Sequence, residues 1–236
     1  METYKIAGIT VEYDSFMEPL KGRSKKYRVD NAVPEETFRI RRDEMIDLKR
    51  RSDSTVDWGT CEYLLMGTRF YDALIDRDGM LLHASAVVLD GEAYLFSAPC
   101  GTGKSTHTSL WLDYFGKDRA YILNDDKPAI RCDTGKPVVY GTPFSGKNDI
   151  GENRCAPLKG ICFLEQAEDN TISRLGDVKA LASILNQTIR PTQTERMNKL
   201  LRTVEIILEN TPVYKMGCNI SEDAVKLSYS TMKSAK

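Results

Sequence analysis

Apolar and polar positions alternate in short blocks along the 236-residue chain, and the pattern predicts more strands than helices. Residues 4–13 (Y-K-I-A-G-I-T-V-E-Y) read as one strand, with Pro19 and Gly22 marking the loop after it. Residues 27–29 and 37–41 read as further short strands. A helix is expected from about 56 to 75, capped by Ser54 or Thr55, with Trp58, Cys61, Leu65, Tyr71 and Leu74 near helical spacing. Asp76 to Gly79 is a turn, after which 80–89 and 92–97 form a hairpin about Asp90-Gly91.

A helix over 104–115 follows, with His107, Leu110, Trp111 and Tyr114 on one face and Gly116 at its end. Residues 120–123 are wholly apolar and bounded by charge, the mark of a central buried strand that stops at Asn124-Asp125-Asp126. Strands at 128–132 and 137–141 flank Asp133 to Lys136 as a second hairpin. Thr142 to Asn153 is polar, Gly-rich and long enough for a functional loop. Further strands are expected at 160–165, 171–175 and 213–218. Helices are expected at 178–188, capped by Asp177, at 195–209, and from Ser221 to about 233. The 195–209 helix has the cleanest stripe (Met197, Leu200, Leu201, Val204, Ile207, Leu208). The fold class is α/β, a mixed sheet with flanking helices. Residues 1–78 form N-terminal strands and a helix packed on a 79–236 catalytic part, together one continuous unit.

The chemistry concentrates where one strand meets one helix. Ala93 to Phe96 run into Ala98-Pro99-Cys100-Gly101-Thr102-Gly103-Lys104-Ser105-Thr106, the strand–turn–helix arrangement of a phosphate-binding loop. Backbone N–H groups of such a loop converge on phosphate oxygens, helped by the helix dipole. Pro99 through Thr106 would therefore cradle a nucleotide, Lys104 reaching the β- and γ-phosphates and the Ser105 hydroxyl binding Mg²⁺. Ala98 stands where the usual pattern has its first Gly.

Asp125 and Asp126 end a buried strand one helix later, at the sheet edge where an α/β ligand lies. One carboxylate would hold the Mg²⁺ between β- and γ-phosphates, and a second suits a base that accepts a proton from an attacking hydroxyl. His83 lies on the neighbouring strand, within reach of that pair.

Composition adds mainly exclusions. A net charge of −1, from 33 basic and 34 acidic residues, argues against nucleic acid or an anionic membrane as a partner. No apolar run approaches a membrane span, and no N-terminal leader pattern is present. Six cysteines without a C-x-x-C read as reduced thiols, hence a cytoplasmic location. Two histidines cannot complete a zinc site at the usual spacings. A homo-oligomer is compatible with all of this.

The run L-L-H-A-S-A-V-V-L-D-G-E-A-Y-L-F-S-A-P-C-G-T-G-K-S-T, followed by I-L-N-D-D, resembles the catalytic domain of HPr kinase/phosphorylase, a family related to the nucleotide-binding part of phosphoenolpyruvate carboxykinase. The resemblance covers residues 79–165. It implies an ATP- and Mg²⁺-dependent kinase in which Asp125 is the base, Asp126 helps with metal, and His83 assists the pair. The family's second signature, a Gly-rich loop with an Arg near the transferred phosphate, is not recognisable here. Residues 142–154 occupy that region, which makes Lys147 and Arg154 the candidates for its charge. Kinases resembling this family also phosphorylate free serine or the serine of a modified peptide, and a serine-containing peptide, protein or small hydroxyl compound fits this short chain better than HPr. Two other readings are a non-catalytic ATP-binding sensor and a nucleotide hydrolase.

Overall fold

Period-2 alternation runs from Tyr4 to Ile6 and resumes from Ile9 to Tyr13 in the opposite phase, and the chain reverses where it shifts. In a computed structural model, which describes residues 1–146 and 149–234, β1 (Glu2–Ile6) and β2 (Ile9–Tyr13) pair antiparallel from Glu2–Tyr13 to Ile6–Ile9. Ala7 and Gly8 make the turn at φ 47° and 81°, so the single strand expected over 4–13 is a hairpin. The turn is seated on a distant part of the chain: Arg131 Nη1 donates to the Ala7 carbonyl at 3.0 Å.

The rest of the N-terminal region departs further from the pattern. A short helix α1 (Leu20–Ser24) leads into a 3₁₀ turn at Lys25–Tyr27, and the strand expected over 27–29 is reduced to one bridge, Arg28 to Tyr4, with the Val29 N–H donating to Thr3 O at 2.9 Å. The expected strand over 37–41 shrinks to β3 (Glu36–Thr37), parallel to β2. The basic run that follows is a helix, α2 (Arg42–Arg51), none of whose residues is buried, so it carries no apolar stripe to announce it. Its start is fixed by Glu44, which accepts from the Arg41 backbone N–H at 2.9 Å. Helix α3 (Trp58–Ile75) is capped by Asp57, whose carboxylate accepts from the Thr60 N–H at 2.7 Å, rather than by Ser54 or Thr55.

The strand expected over 80–89 is two: β4 (Gly79–Leu81) and β5 (Ala84–Leu89), parted at Leu82-His83. Then come β6 (Glu92–Ser97), α4 (Lys104–Phe115), β7 (Ala120–Asp126), β8 (Ala129–Arg131), β9 (Val138–Tyr140) and β10 (Cys155–Gln166). The chain closes with β11 (Thr171–Arg174), α5 (Asp177–Asn186), α6 (Thr194–Asn210), β12 (Val213–Cys218) and α7 (Glu222–Lys233). Gly176, not Asp177, is the cap of α5.

Among the described residues these strands form a nine-stranded mixed sheet, ordered β4-β8-β9-β10-β6-β5-β7, with β12 on the other side of β10 and β11 beyond it. The long β10 pairs with β9 through 155–157 and with β6 and β12 through its later residues. Strands β6, β10 and β12 are mutually parallel, while β5 runs antiparallel to both β6 and β7. The carboxyl ends of β6, β7, β10 and β12 therefore share one rim, and β5 begins at that rim.

Alternate side chains feed two apolar layers. Tyr94 and Phe96 of β6 join Trp111, Val225 and Met232 beneath α4 and α7. Ala93 and Leu95 face the other way, into a core with Phe70, Leu74, Ile184 and Val204 of α3, α5 and α6. That second core continues without a break to Ile6, Ile9 and Tyr13, which ties the N-terminal hairpin to the large sheet. No helix is long and apolar enough to cross a membrane among the described residues.

Candidate functional site

The turn between β6 and α4 is shaped by two glycines. Gly101 and Gly103 take φ 81° and 112°, and a Cβ at either would meet nothing within 4 Å, so backbone conformation rather than space selects glycine there. Gly103 caps α4, and the first N–H groups of the helix point out of the turn without intrahelical partners. Ala98 is buried at the start of this turn, whereas Pro99, Cys100, Ser105 and Thr106 are exposed and Thr102 is half-buried. Lys104 folds back across the turn, its ammonium donating to the carbonyls of Ala98 (2.9 Å) and Pro99 (3.4 Å). Burial pushes the Lys104 pKa down, against the opposing pull of Asp126, Cys100 and Asp125.

His83 is placed at the same rim by the start of β5. Ser97, the last residue of β6, donates its hydroxyl to the His83 carbonyl at 2.8 Å, which locks the strand start against the turn. On one side the His83 ring meets Gln187 Oε1 through Nδ1 at 3.0 Å. On the other its Nε2 lies 3.3 Å from Asp126 Oδ1, which also accepts from Lys127 Nζ at 3.0 Å. Burial alone would raise the Asp126 carboxyl. The hydrogen bonds and charges of His83 and Lys127 outweigh it and hold the group below the ordinary carboxylate range.

Asp125 has the opposite surroundings. In the β5–β7 register it stands across from Ser85, which in turn stands across from Phe96. Ser85 bonds Thr108 of α4 at 2.8 Å and Phe96 packs on His107, so that face is the α4 face. Asp125 therefore faces the helix that begins at Lys104, while Asp126 faces away from it. Its side chain is buried, and Oδ1 has no hydrogen-bond partner among the described residues. A buried carboxylate oxygen left without a donor is costly, and such a group is suited to accept a proton or a cation.

The polar loop after β9 is what buries Asp125. Gly151 bridges Asn124, Ile150 O accepts from the Asp125 N–H at 3.1 Å, and Glu152 N–H donates to Leu123 O at 2.9 Å. The Asn124 side chain ties both ends of this arrangement. Its amide donates to Thr142 O at 2.9 Å, while its oxygen accepts from the N–H groups of Asp126 and Lys127 at 3.0 and 2.8 Å. The loop is held from outside by Arg23 of α1, which donates to the carbonyls of Ser145 (2.6 Å) and Gly146 (2.8 Å).

The remaining candidates fall elsewhere. Arg154 lies over the Tyr121 ring at 4.1 Å, about 16 Å from Asp126 at strand rise, so the structure does not bring it to the rim. Lys147 lies outside the described residues. His107 is buried between Ser228 Oγ (3.2 Å) and the Trp111 indole N–H (3.3 Å), and burial pushes it down to about 4, which keeps the ring neutral in the core. Lys127, Gln187, Asn124 and Arg23 were not anticipated. Lys127 carries a local signal, being next to the Asp pair. Gln187, just past α5, meets His83 only in the tertiary fold, 104 residues away in sequence.

Three cavities open at this rim: one of about 530 Å³ along Pro99 to Thr102 and Leu164 to Gln166, and two more. One of about 410 Å³ lies beside the glycine turn, between Thr106 and Leu110 of α4, Leu164 and Gln166 of β10, and Ile220. The other, about 200 Å³, is lined by His83, Lys127, Gln187 and Thr188. Among the described residues no group of three or more His, Cys, Asp or Glu side chains is placed to hold a metal ion. A cation accompanying phosphates needs only one or two carboxylates. The Asp125 oxygen and the exposed Ser105, both toward the α4 side of the rim, are the donors that could hold one.

Comparison with known proteins gives a family and distant solved structures. A family model described as SynChlorMet cassette protein ScmC matches residues 45–228, well over half of the chain. No curated protein matches. The solved Hpr(Ser) kinase/phosphatase from Coxiella burnetii is 15% identical over 65% of this chain and 98% of that one, with a TM-score of 0.34, a likeness too loose to carry an argument about function.

Proposed function

The chain belongs to the family of SynChlorMet cassette protein ScmC, and we propose that it is a kinase that moves the γ-phosphoryl group of ATP, with Mg²⁺, to an aliphatic hydroxyl, with serine of a peptide or protein as the acceptor. One observation carries the reading: a glycine-hinged helix start and a buried carboxylate oxygen without a partner, Asp125 Oδ1, share one sheet rim on the α4 side. The resemblance of the 81–106 and 122–126 runs to HPr kinase/phosphorylase supports it from sequence.

Each residue then has a role its surroundings allow. The turn from Pro99 to Thr106 binds the phosphates with backbone N–H groups, and Lys104 leaves the carbonyls of Ala98 and Pro99 to pair with them. Ser105 and the carboxylate rim would hold Mg²⁺, which would supply neutralisation of the phosphate charge. Asp125 accepts the proton of the incoming hydroxyl. Asp126 stays ionised through His83 and Lys127, and Lys127 supplies a cation at the rim that Arg154 does not. Catalysis is then positioning and charge neutralisation, as is general for phosphoryl transfer.

The test is incubation of the protein with γ-labelled ATP, Mg²⁺ and cell extract, followed by identification of the labelled molecule. Asp125→Asn should still bind ATP and transfer nothing. Wild type that binds ATP but labels no acceptor would favour a sensor. Rapid phosphate release without an acceptor would favour a hydrolase.

A further inference from the structure

A groove of about 510 Å³ lies on the N-terminal part, away from the rim. Phe16, Met17, Phe38, Ile40 and Met45 give it an apolar lining, and Phe16 is 72% exposed, an unusual state for a phenylalanine beside other apolar side chains. The groove is pre-formed. Glu62 of α3, buried, accepts the backbone N–H groups of Phe16 and Met17 with its two oxygens, each at 2.9 Å, and pins that wall.

The charge at its lip is one-sided. Arg39 and Arg42 line the groove and are exposed. The ion pairs of this region join Arg41 to Asp43 and Glu44, and Arg69 to Glu44, and none takes Arg39 or Arg42. The two acids of the lining are already engaged: Glu62 by backbone, Asp14 by the Met1 amino group at 3.2 Å. An apolar floor under two unpaired guanidinium groups is complementary to a segment carrying apolar anchors and carboxylates.

The groove also abuts the machinery of the rim. Tyr63, the residue after Glu62, donates its hydroxyl to Ser145 O at 3.2 Å, on the loop that buries Asp125. The wall containing Phe16 and Met17 leads directly into α1, whose Arg23 grips the same loop. All but Met45 and Glu62 of the lining precede residue 45, where the family match begins, so the groove is built by a part of the chain outside that match.

We infer that this groove docks an acidic, apolar segment of a polypeptide acceptor, and so holds the phosphorylatable residue near the rim by a contact remote from it. The purpose rests on the kinase reading above; the binding does not. Panning a random dodecapeptide phage library on the full chain should enrich sequences with at least two Asp or Glu among aromatic and aliphatic residues. A fluorescein-labelled peptide made from the winner should bind the double variant R39E/R42E, and separately Phe16→Ala, at least tenfold more weakly. Substituting Lys for its acids should restore binding to R39E/R42E. All three positions are surface ones, and an unchanged affinity for a fluorescent ATP analogue would certify the variants as folded. No enrichment, neutral or basic winners, or an affinity indifferent to R39E/R42E would overturn the proposal. If peptide binding holds while no acceptor is ever labelled, the kinase reading fails and the groove stands.

Discussion

Replacing Asp125 with Asn should move stability and activity in opposite directions. Among the described residues the buried Asp125 Oδ1 has no donor. Leaving a buried polar atom unpaired costs about 1–3 kcal/mol, more when it is charged. Asn keeps the shape and removes the charge. Against this stands the lost attraction to Lys104, for which Asp125 is a weaker partner than Asp126. The balance favours Asn by about 1 kcal/mol, which for a chain of this size corresponds to a melting temperature roughly 2–4 °C higher. Phosphoryl transfer should fall by about 10²–10⁴-fold, the usual worth of a general base. Thermal unfolding without nucleotide, in chelator, measures the first effect, and labelled-ATP transfer the second. The comparison also has a ligand arm: ATP with Mg²⁺ should raise the wild-type melting temperature more than that of Asp125→Asn, since a stabilising ligand acts through its affinity for the folded state. A variant that melts lower than wild type without ligand, or that keeps full transfer, would refute the idea that this carboxylate is held in a costly state for use.

Three further outcomes are expected. Gly103→Ala puts a Cβ on a residue at φ 112° and should cost about 1–2 kcal/mol, with weakened ATP binding by fluorescence titration because the start of α4 must shift. Gly141→Ala would set its Cβ 1.9 Å from the Glu152 carbonyl oxygen and 2.8 Å from that of Leu123. The backbone cannot yield there cheaply, and a loss of about 3 kcal/mol, near 10 °C in melting temperature, should appear in a calorimetric scan. Asp126 has its folded carboxyl held below the ordinary value of about 4, so its pairing stabilises fully above that pH and fades as pH falls through the folded value. The melting-temperature gap between wild type and Asp126→Asn should accordingly be widest near neutrality and close in acid; a gap constant from pH 7 to pH 3 would contradict the pairing with His83 and Lys127.

Some of this was legible in one dimension. The hairpin about Asp90-Gly91, the glycine turn and the helix starting at Lys104 are set by neighbours in sequence, and the structure has them where the pattern put them. The α6 stripe likewise faces the core through Leu200, Val204 and Ile207. The misreadings cluster in the first 80 residues, where the alternation resumes in the opposite phase after the Ala7-Gly8 turn and α2 has no buried side to give it a period. At Leu82-His83 an apolar run crosses a strand break, because both sides of the break are buried and look alike.

What local sequence determined about this protein is the set of short-range conformers: which stretches extend, which coil, and where backbone N–H groups are left open at a helix start. The distinction between Asp125 and Asp126, two identical side chains in adjacent positions, was decided in three dimensions alone. Strand pleating sends them to opposite faces. One then meets His83 and Lys127, the other a face toward α4 with no donor for one oxygen among the described residues, and the partners responsible (Gln187 behind the imidazole, residues 150–152 paired with the strand backbone, Arg23 on the carbonyls of Ser145 and Gly146) arrive from distant parts of the chain. Such pairings depend on sheet order and register, which no window of neighbouring residues contains.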